Sequence, residues 1–235
     1  MDPTEEHAKK YLEHLGFKTV KYEPDGKVPP DFLLDGRIAV EVRRLNQNEV
    51  TGSGFRGLEE TAIPLQMKIR KLLASFGPPT SATSWFVSYS FGRPLPPWKS
   101  LKSALSLHLK AFMHDQWNDA LRSATISHTV SVEFTPASDV HPTFFVPGGH
   151  TDQDSGGWVF TETQNNLRLC VEEKMRKIAP YRHKYPEWWL VVVDRIGYGV
   201  DDGDREFYRE QLGIEHSLDK VILLNPLDYR SASEI

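Results

Sequence analysis

A period-two alternation over residues 30–43 constrains this chain more than any other stretch. The even positions Phe32, Leu34, Ile38, Val40 and Val42 are apolar, whereas the odd positions include Asp31, Arg37, Glu41 and Arg43. Successive side chains of a strand point to opposite faces, so the split predicts a strand pair with one apolar face and one chemical face. Asp35-Gly36 between the two runs is a turn signal. A three-residue loop Leu34-Asp35-Gly36, with Gly36 in the left-handed conformation, pairs Leu33 with Arg37 and sets Asp31 on the face of Ala39 and Glu41. A two-residue loop would part the two acids and scatter the apolar set over both faces. The hydrophobic pattern therefore selects the loop that gathers the carboxylates.

Two carboxylates converging on a sheet face, with a cation two residues beyond the second, have the chemistry of a divalent-metal site. Magnesium takes hard oxygen ligands, one or two of them protein carboxylates and the rest from water and phosphate. Pro30-Asp31 followed by Glu41-Val42-Arg43 resembles the PD-(D/E)XK nuclease superfamily, the restriction-endonuclease-like fold. The resemblance implies metal ligation by Asp31, Glu41 and the backbone carbonyl of Val42, with Mg2+ or Mn2+ as cofactor. It further implies hydrolysis of phosphodiester bonds in nucleic acid, DNA in the first instance. It covers residues 5–45 closely and the rest through element order. It departs at Arg43, where the family carries lysine: arginine stays charged, so Arg43 can neutralise or polarise a phosphate but is a poor general base.

Two further residues join the candidate site. Asp2-Pro3-Thr4-Glu5 opens a first helix that Gly16 closes, with Ala8, Tyr11, Leu12 and Leu15 as its apolar stripe. Glu5 falls near Leu12 on that stripe, and the archaeal Holliday junction resolvases, which share the fold, carry an active-site glutamate at similar spacing. The resemblance thus implies a third acidic metal ligand at Glu5; the structural alternative is a capping box with Asp2 as N-cap. Further on, Leu167, Val171, Met175 and Ile178 set the buried side of a helix near 163–179, and Lys174 falls inside that stripe. A lysine pointed at a core is costly unless it snorkels or meets a carboxylate. Lys174 is therefore a candidate substitute for the lysine missing at position 43, with Lys177 at the margin of the same stripe. Gln66 reads as a boundary residue of the second helix.

The order of elements predicts an α/β fold. Strand 17–23 and the hairpin are followed by helix 58–76, strand 85–91, helix 98–121 and strand 127–134. An irregular insertion then surrounds a short strand at 143–146, before helix 163–179 and strands 188–194 and 220–225. We expect one restriction-endonuclease-like domain over 1–235, a single mixed sheet flanked by helices, with about 123–160 as a family-specific elaboration. The run Leu190-Val191-Val192-Val193 suits a strand covered on both faces. A chain of 235 residues, 39% apolar and 26% charged, can bury such a core. Its one cysteine, Cys170, excludes an intrachain disulfide framework and a cysteine-type zinc site. An N-terminus without an apolar signal region, and the absence of any run of membrane-spanning length, point to the cytoplasm and to no membrane partner.

The formal net charge of −4 weighs against a nucleic-acid partner in total. Positive charge is locally dense, however, at Arg43-Arg44, at Lys68, Arg70 and Lys71, and from Lys174 to Lys184. The oligomeric state is left open, a homodimer included. Three functions are consistent with these residues: a metal-dependent nuclease at Asp31 and Glu41, a nuclease-fold domain that binds nucleic acid or protein without cleaving, and an unrelated metal-dependent hydrolase centred on His150 and Asp152. The last uses the alternating ligands of His150-Thr151-Asp152-Gln153-Asp154; Asp201-Asp202-Gly203-Asp204 offers another acidic loop. No HExxH pair, Gly-x-Ser-x-Gly elbow or Walker loop occurs.

Overall fold

The hairpin at 32–45 and the apolar run at 187–194 lie side by side in the computed structural model of the protein, which describes residues 1–235 except 53, 80–81, 199–209 and 212. In chain order the elements are α1 (Pro3–His14), β1 (Val20–Tyr22), β2 (Phe32–Leu34), β3 (Ile38–Leu45), β4 (Asn48–Thr51), β5 (Gly54–Gly57), α2 (Glu59–Ala74), β6 (Trp85–Phe91), α3 (Trp98–His114), β7 (Ser123–Ser127), β8 (Val130–Pro136), β9 (Phe145–Asp152), α4 (Val159–Ile178), β10 (Glu187–Asp194), β11 (Lys220–Leu224) and β12 (Ala232–Glu234). The chain is mixed α/β and divides into two compact units, residues 1–57 with 157–235, and residues 58–156. Among the described residues no helix is long and apolar enough to cross a membrane.

The discontinuous unit is built on a six-stranded sheet in the order β1-β2-β3-β10-β11-β12. β3, β10 and β11 run parallel, while β1, β2 and β12 add antiparallel edges. Both faces are covered. Ala8, Tyr11 and Leu12 of α1 pack with Phe32, Leu34, Val40, Val42, Val191 and Val193 on one side. Leu167, Cys170 and Val171 of α4 pack with Ala39, Leu45, Leu190 and Val192 on the other. β10 is consequently apolar at every position from Trp188 to Val193, as a strand buried on two faces requires.

The hairpin keeps the expected face assignment but not the expected register. Phe32 pairs with Val40, Leu33 with Ala39 and Leu34 with Ile38, so the three loop residues are Asp35, Gly36 and Arg37. That slides the pairing by two residues, which leaves every side chain on the face the alternation assigned to it. Asp35 and Gly36 both have positive φ, 46° and 68°, and Arg37 N–H donates to the Leu34 carbonyl at 2.9 Å. Asp35 is held there because its Oδ1 accepts from the Thr19 backbone N–H at 2.7 Å.

The continuous unit contradicts the expectation of one sheet. Its four strands run β7-β8-β6-β9, with α2 and α3 contributing to a core built around Trp85, Phe91, Phe112, Phe134 and Phe145. β6 finds both neighbours, β8 and β9, within residues 58–156, so it completes its own sheet. The segment 123–160, expected to be an irregular elaboration beyond its strands at 127–134 and 143–146, supplies β7, β8 and β9, with β7 the unexpected strand and β9 extending to Asp152. Its glycines had the look of loop punctuation, but Gly148 sits inside β9 beside a register shift, where an added Cβ would lie 3.0 Å from the Ser88 backbone nitrogen. The helix expected to run to 121 ends at His114, and α4 begins at Val159. A separate two-stranded sheet, β4-β5, belongs to the first unit.

The turn geometry carries a test. No atom lies within 4 Å of a Cβ built on Gly36, so the cost of Gly36→Ala is conformational alone. Equilibrium urea denaturation should show a loss of about 1–2 kcal/mol, the usual cost of an L-residue held in the left-handed region. Unchanged stability would mean that the hairpin does not depend on this turn.

Candidate active site

The odd-numbered face of β3 looks onto α4, and the chemical face expected from the alternation is a covered one. Ala39 and Glu41 are both fully buried. Asp31 immediately precedes β2; continued by one residue, the hairpin register sets it opposite Glu41. The Val42 backbone N–H donates to Asp31 Oδ2 at 2.8 Å. Because the N–H and C=O of one strand residue point the same way, the Val42 carbonyl also faces the side on which β2 has ended.

α4 brings two lysines onto this pair of acids. Lys174 Nζ donates to Glu41 Oε2 at 2.6 Å and lies 3.7 Å from Asp31 Oδ2. Lys177 Nζ reaches the same Glu41 oxygen at 3.2 Å. The sequence placed Lys174 inside the buried stripe, and it is 6% exposed. Lys177, one helical turn further on, is engaged more closely than its marginal position suggested; its spacing of three from Lys174 was the available signal. Glu41 Oε1, by contrast, is buried without a hydrogen-bond partner among the described residues. A buried carboxylate oxygen left unmatched is costly, and it is the donor type a divalent cation takes.

Arg43 shares the face of Glu41 but turns outward. Its Nε is 3.2 Å from Glu173 Oε2 on α4, and its guanidinium lies 5.8 Å from the centroid of Phe55. Glu173, as the partner of Arg43, was not singled out by sequence. Burial, and then the neighbouring Glu41 carboxylate, push the Asp31 carboxyl above the usual carboxylate range, against the pull of Lys174, the Val42 N–H and Lys177. Desolvation alone would lower the Lys177 ammonium; Glu41 and Asp31 outweigh it and raise the group.

Asp31, Val42, Arg43, Lys174 and Lys177 line a cleft of about 230 Å³, with Glu5 from α1 on its wall, whereas Glu41 is fully buried and does not line it. Glu5 does form the capping box: its Oε2 accepts from Asp2 N–H at 2.8 Å, while Asp2 Oδ1 accepts from the N–H groups of Thr4 and Glu5. The same Oε2 also accepts from the Tyr22 hydroxyl at 3.0 Å. Among the described residues no group of three or more His, Cys, Asp or Glu side chains is placed to hold a metal ion. A cation over Asp31 and Glu41 would thus depend on these two acids and the backbone.

Compared with family models, with curated proteins and with solved structures, the chain matches none. The geometry therefore carries the functional argument alone.

The other metal candidates gain little from that geometry. Both oxygens of Asp152 are taken by Arg93, at 2.6 and 2.8 Å, and Asp154 accepts from the same guanidinium. His150 stacks on Tyr89 with ring centroids 5.6 Å apart. The Asp201-Asp202-Gly203-Asp204 loop lies outside the described residues. Gln66 is half-buried on α2, in the unit that does not contain Asp31 and Glu41.

The raised Asp31 carboxyl fixes a sign. An acid whose folded pKa is raised holds its proton more tightly folded than unfolded, so its ionisation subtracts stability as pH climbs from the ordinary aspartate range through the raised value. Asp31→Asn, which keeps an acceptor for Val42 N–H, should therefore melt at a higher temperature than wild type at about pH 7 in EDTA. The gain should vanish at about pH 3 and below, where the carboxyl is neutral in both states. A variant no more stable than wild type at neutral pH would show that the charge on Asp31 is well compensated.

Proposed function

We propose that the cleft over Asp31 and Glu41 is the active site of a Mg2+- or Mn2+-dependent nuclease with the restriction-endonuclease-like fold, in which α4 rather than β3 supplies the lysine. The observation that carries this reading is the position of Lys174 Nζ, within 4 Å of both carboxylates. The unmatched Glu41 Oε1 supports it. Asp31, Glu41 and the Val42 carbonyl would hold the ion, which when bound supplies Lewis-acid polarisation of the phosphodiester and a more acidic water. The Lys174 ammonium stabilises negative charge that develops on the attacked phosphate, in a setting dry enough for one cation to matter. Arg43, whose planar fork matches phosphate oxygens, and the half-exposed Lys177 hold the backbone at the mouth of the cleft.

A second reading also has an observation behind it. Lys174 and Lys177 together neutralise the acids, as they would in a domain of the same fold that binds nucleic acid or a protein without cleaving. Titration calorimetry separates the two: the nuclease takes up Mg2+ or Mn2+ in a manner abolished by Glu41→Gln, and the non-cleaving domain takes up neither.

Cleavage of a mixed DNA and RNA substrate panel with Mg2+ or Mn2+ should be abolished by Asp31→Asn and by Glu41→Gln. Lys174→Met should lose on the order of 100-fold or more per folded molecule, the scale of removing one transition-state donor. Arg43→Ala should lose less, and Arg43→Lys less again. Near-native rates for Lys174→Met, on protein shown by circular dichroism to be folded, would remove Lys174 from the chemistry.

A further inference from the structure

Between Glu60 and Asp115 the sequence contains no aspartate or glutamate, where 32 acids in 235 residues would place about seven in a stretch of that length. The stretch carries seven lysines and arginines instead. Arg93 is accounted for, held by Asp152 and Asp154. The other six, Lys68, Arg70 and Lys71 on α2 and Lys99, Lys102 and Lys110 on α3, are all exposed, and none has an ion-pair partner among the described residues. Elsewhere the protein pairs its helical lysines: on α1, Lys9 with Glu13 and Lys10 with Glu6, and on α4 both lysines with Glu41.

The two cationic helices present one surface. Leu65 and Ile69 of α2 and Leu101, Leu105 and Leu109 of α3 enter the same core with β6 and β8, so both helices turn their opposite sides outward. Lys68 Nζ lies 5.7 Å from the ring centroid of Trp98, the first residue of α3, which ties the outward faces together. Like charges gathered on adjacent helices repel, and no acid on either helix beyond the first turn of α2 relieves that repulsion. A polyanion would relieve it.

We infer that the outward faces of α2 and α3 form a second binding surface, for the phosphate backbone of nucleic acid, in the unit that does not hold Asp31 and Glu41. The choice of nucleic acid among polyanions rests on the proposed nuclease function. A bilayer is the poorer fit, because the exposed apolar residues of these helices, chiefly Ile63, Met67 and Leu107, are too few to bury a helix face. Lysine-to-phosphate contacts carry no sequence information, so this surface adds affinity without base specificity.

Fluorescence anisotropy of a labelled DNA duplex of about 30 base pairs, in EDTA and between about 50 and 200 mM salt, tests the assignment. Two triple variants are compared with wild type, Lys68→Gln/Arg70→Gln/Lys71→Gln and Lys99→Gln/Lys102→Gln/Lys110→Gln. Each should weaken binding about 10-fold or more and flatten the dependence of log affinity on log salt by about 2 to 3. Affinity and salt slope unchanged in both variants would overturn the surface, even if Mg2+-dependent cleavage is found. Binding to vesicles of phosphatidylcholine and phosphatidylserine without binding to the duplex would overturn it too, as would binding to neither. Variant-sensitive binding to the duplex without cleavage in Mg2+ would sustain the surface and sink the active-site reading instead.

Discussion

A carboxylate with no exposed surface sits in the middle of a central strand, and the arrangement of the first unit follows from the need to compensate it. Glu41 is fully buried, and an isolated ionised carboxylate cannot be kept there. α4 must therefore lie over β3 at a rotation that drops Lys174 onto Glu41, and the stripe Leu167, Val171, Ile178 is the apolar frame that fixes that rotation. Removing one partner of such a pair characteristically costs about 3–5 kcal/mol, whereas replacing both by apolar residues is often neutral or stabilising. Stability alone thus gives no reason to retain the pair. The unmatched Glu41 Oε1 adds to the cost, because a buried acceptor without a donor forfeits its hydration.

Lysine delivered from a helix is chemically different from lysine delivered from the strand. A strand residue at position 43 is tied to the backbone that also positions Glu41, and Arg43 there faces Glu173 at the cleft margin. Lys174 approaches from the layer above, between the two acids. The separation leaves a planar, permanently charged group at the cleft margin and an ammonium inside, the division that the proposed nuclease reading uses.

What could be read from the sequence was whatever depended on parity. The hairpin slid by two residues from its expected register, yet Asp31 and Glu41 stayed together, because face assignment changes only with odd shifts. Lys174 was legible for a related reason: a helix of 3.6 residues per turn fixes which side chains point inward whatever the helix packs on. Sheet membership was not legible. Nothing local in Trp85–Phe91 tells which strands it pairs with, and its partners proved to be β8 and β9, within its own unit. Gly148 shows why the same region was hard to read, since a glycine that admits a close strand neighbour looks in sequence like one that makes a loop.

The division of the chain also orders its birth on the ribosome. Residues 58–156 are contiguous, so the four-stranded sheet and its two helices can close as soon as they emerge. The first unit cannot: β3 leaves early, but its neighbour β10 and its cover α4 follow more than a hundred residues later. Until then Glu41 is an ordinary hydrated acid on an unpaired strand. The charged centre of the molecule is thus assembled last, by residues that arrive after the inserted unit can already have folded, and a nascent chain stalled before α4 would carry the two acids and the basic helices without the lysines that meet Glu41.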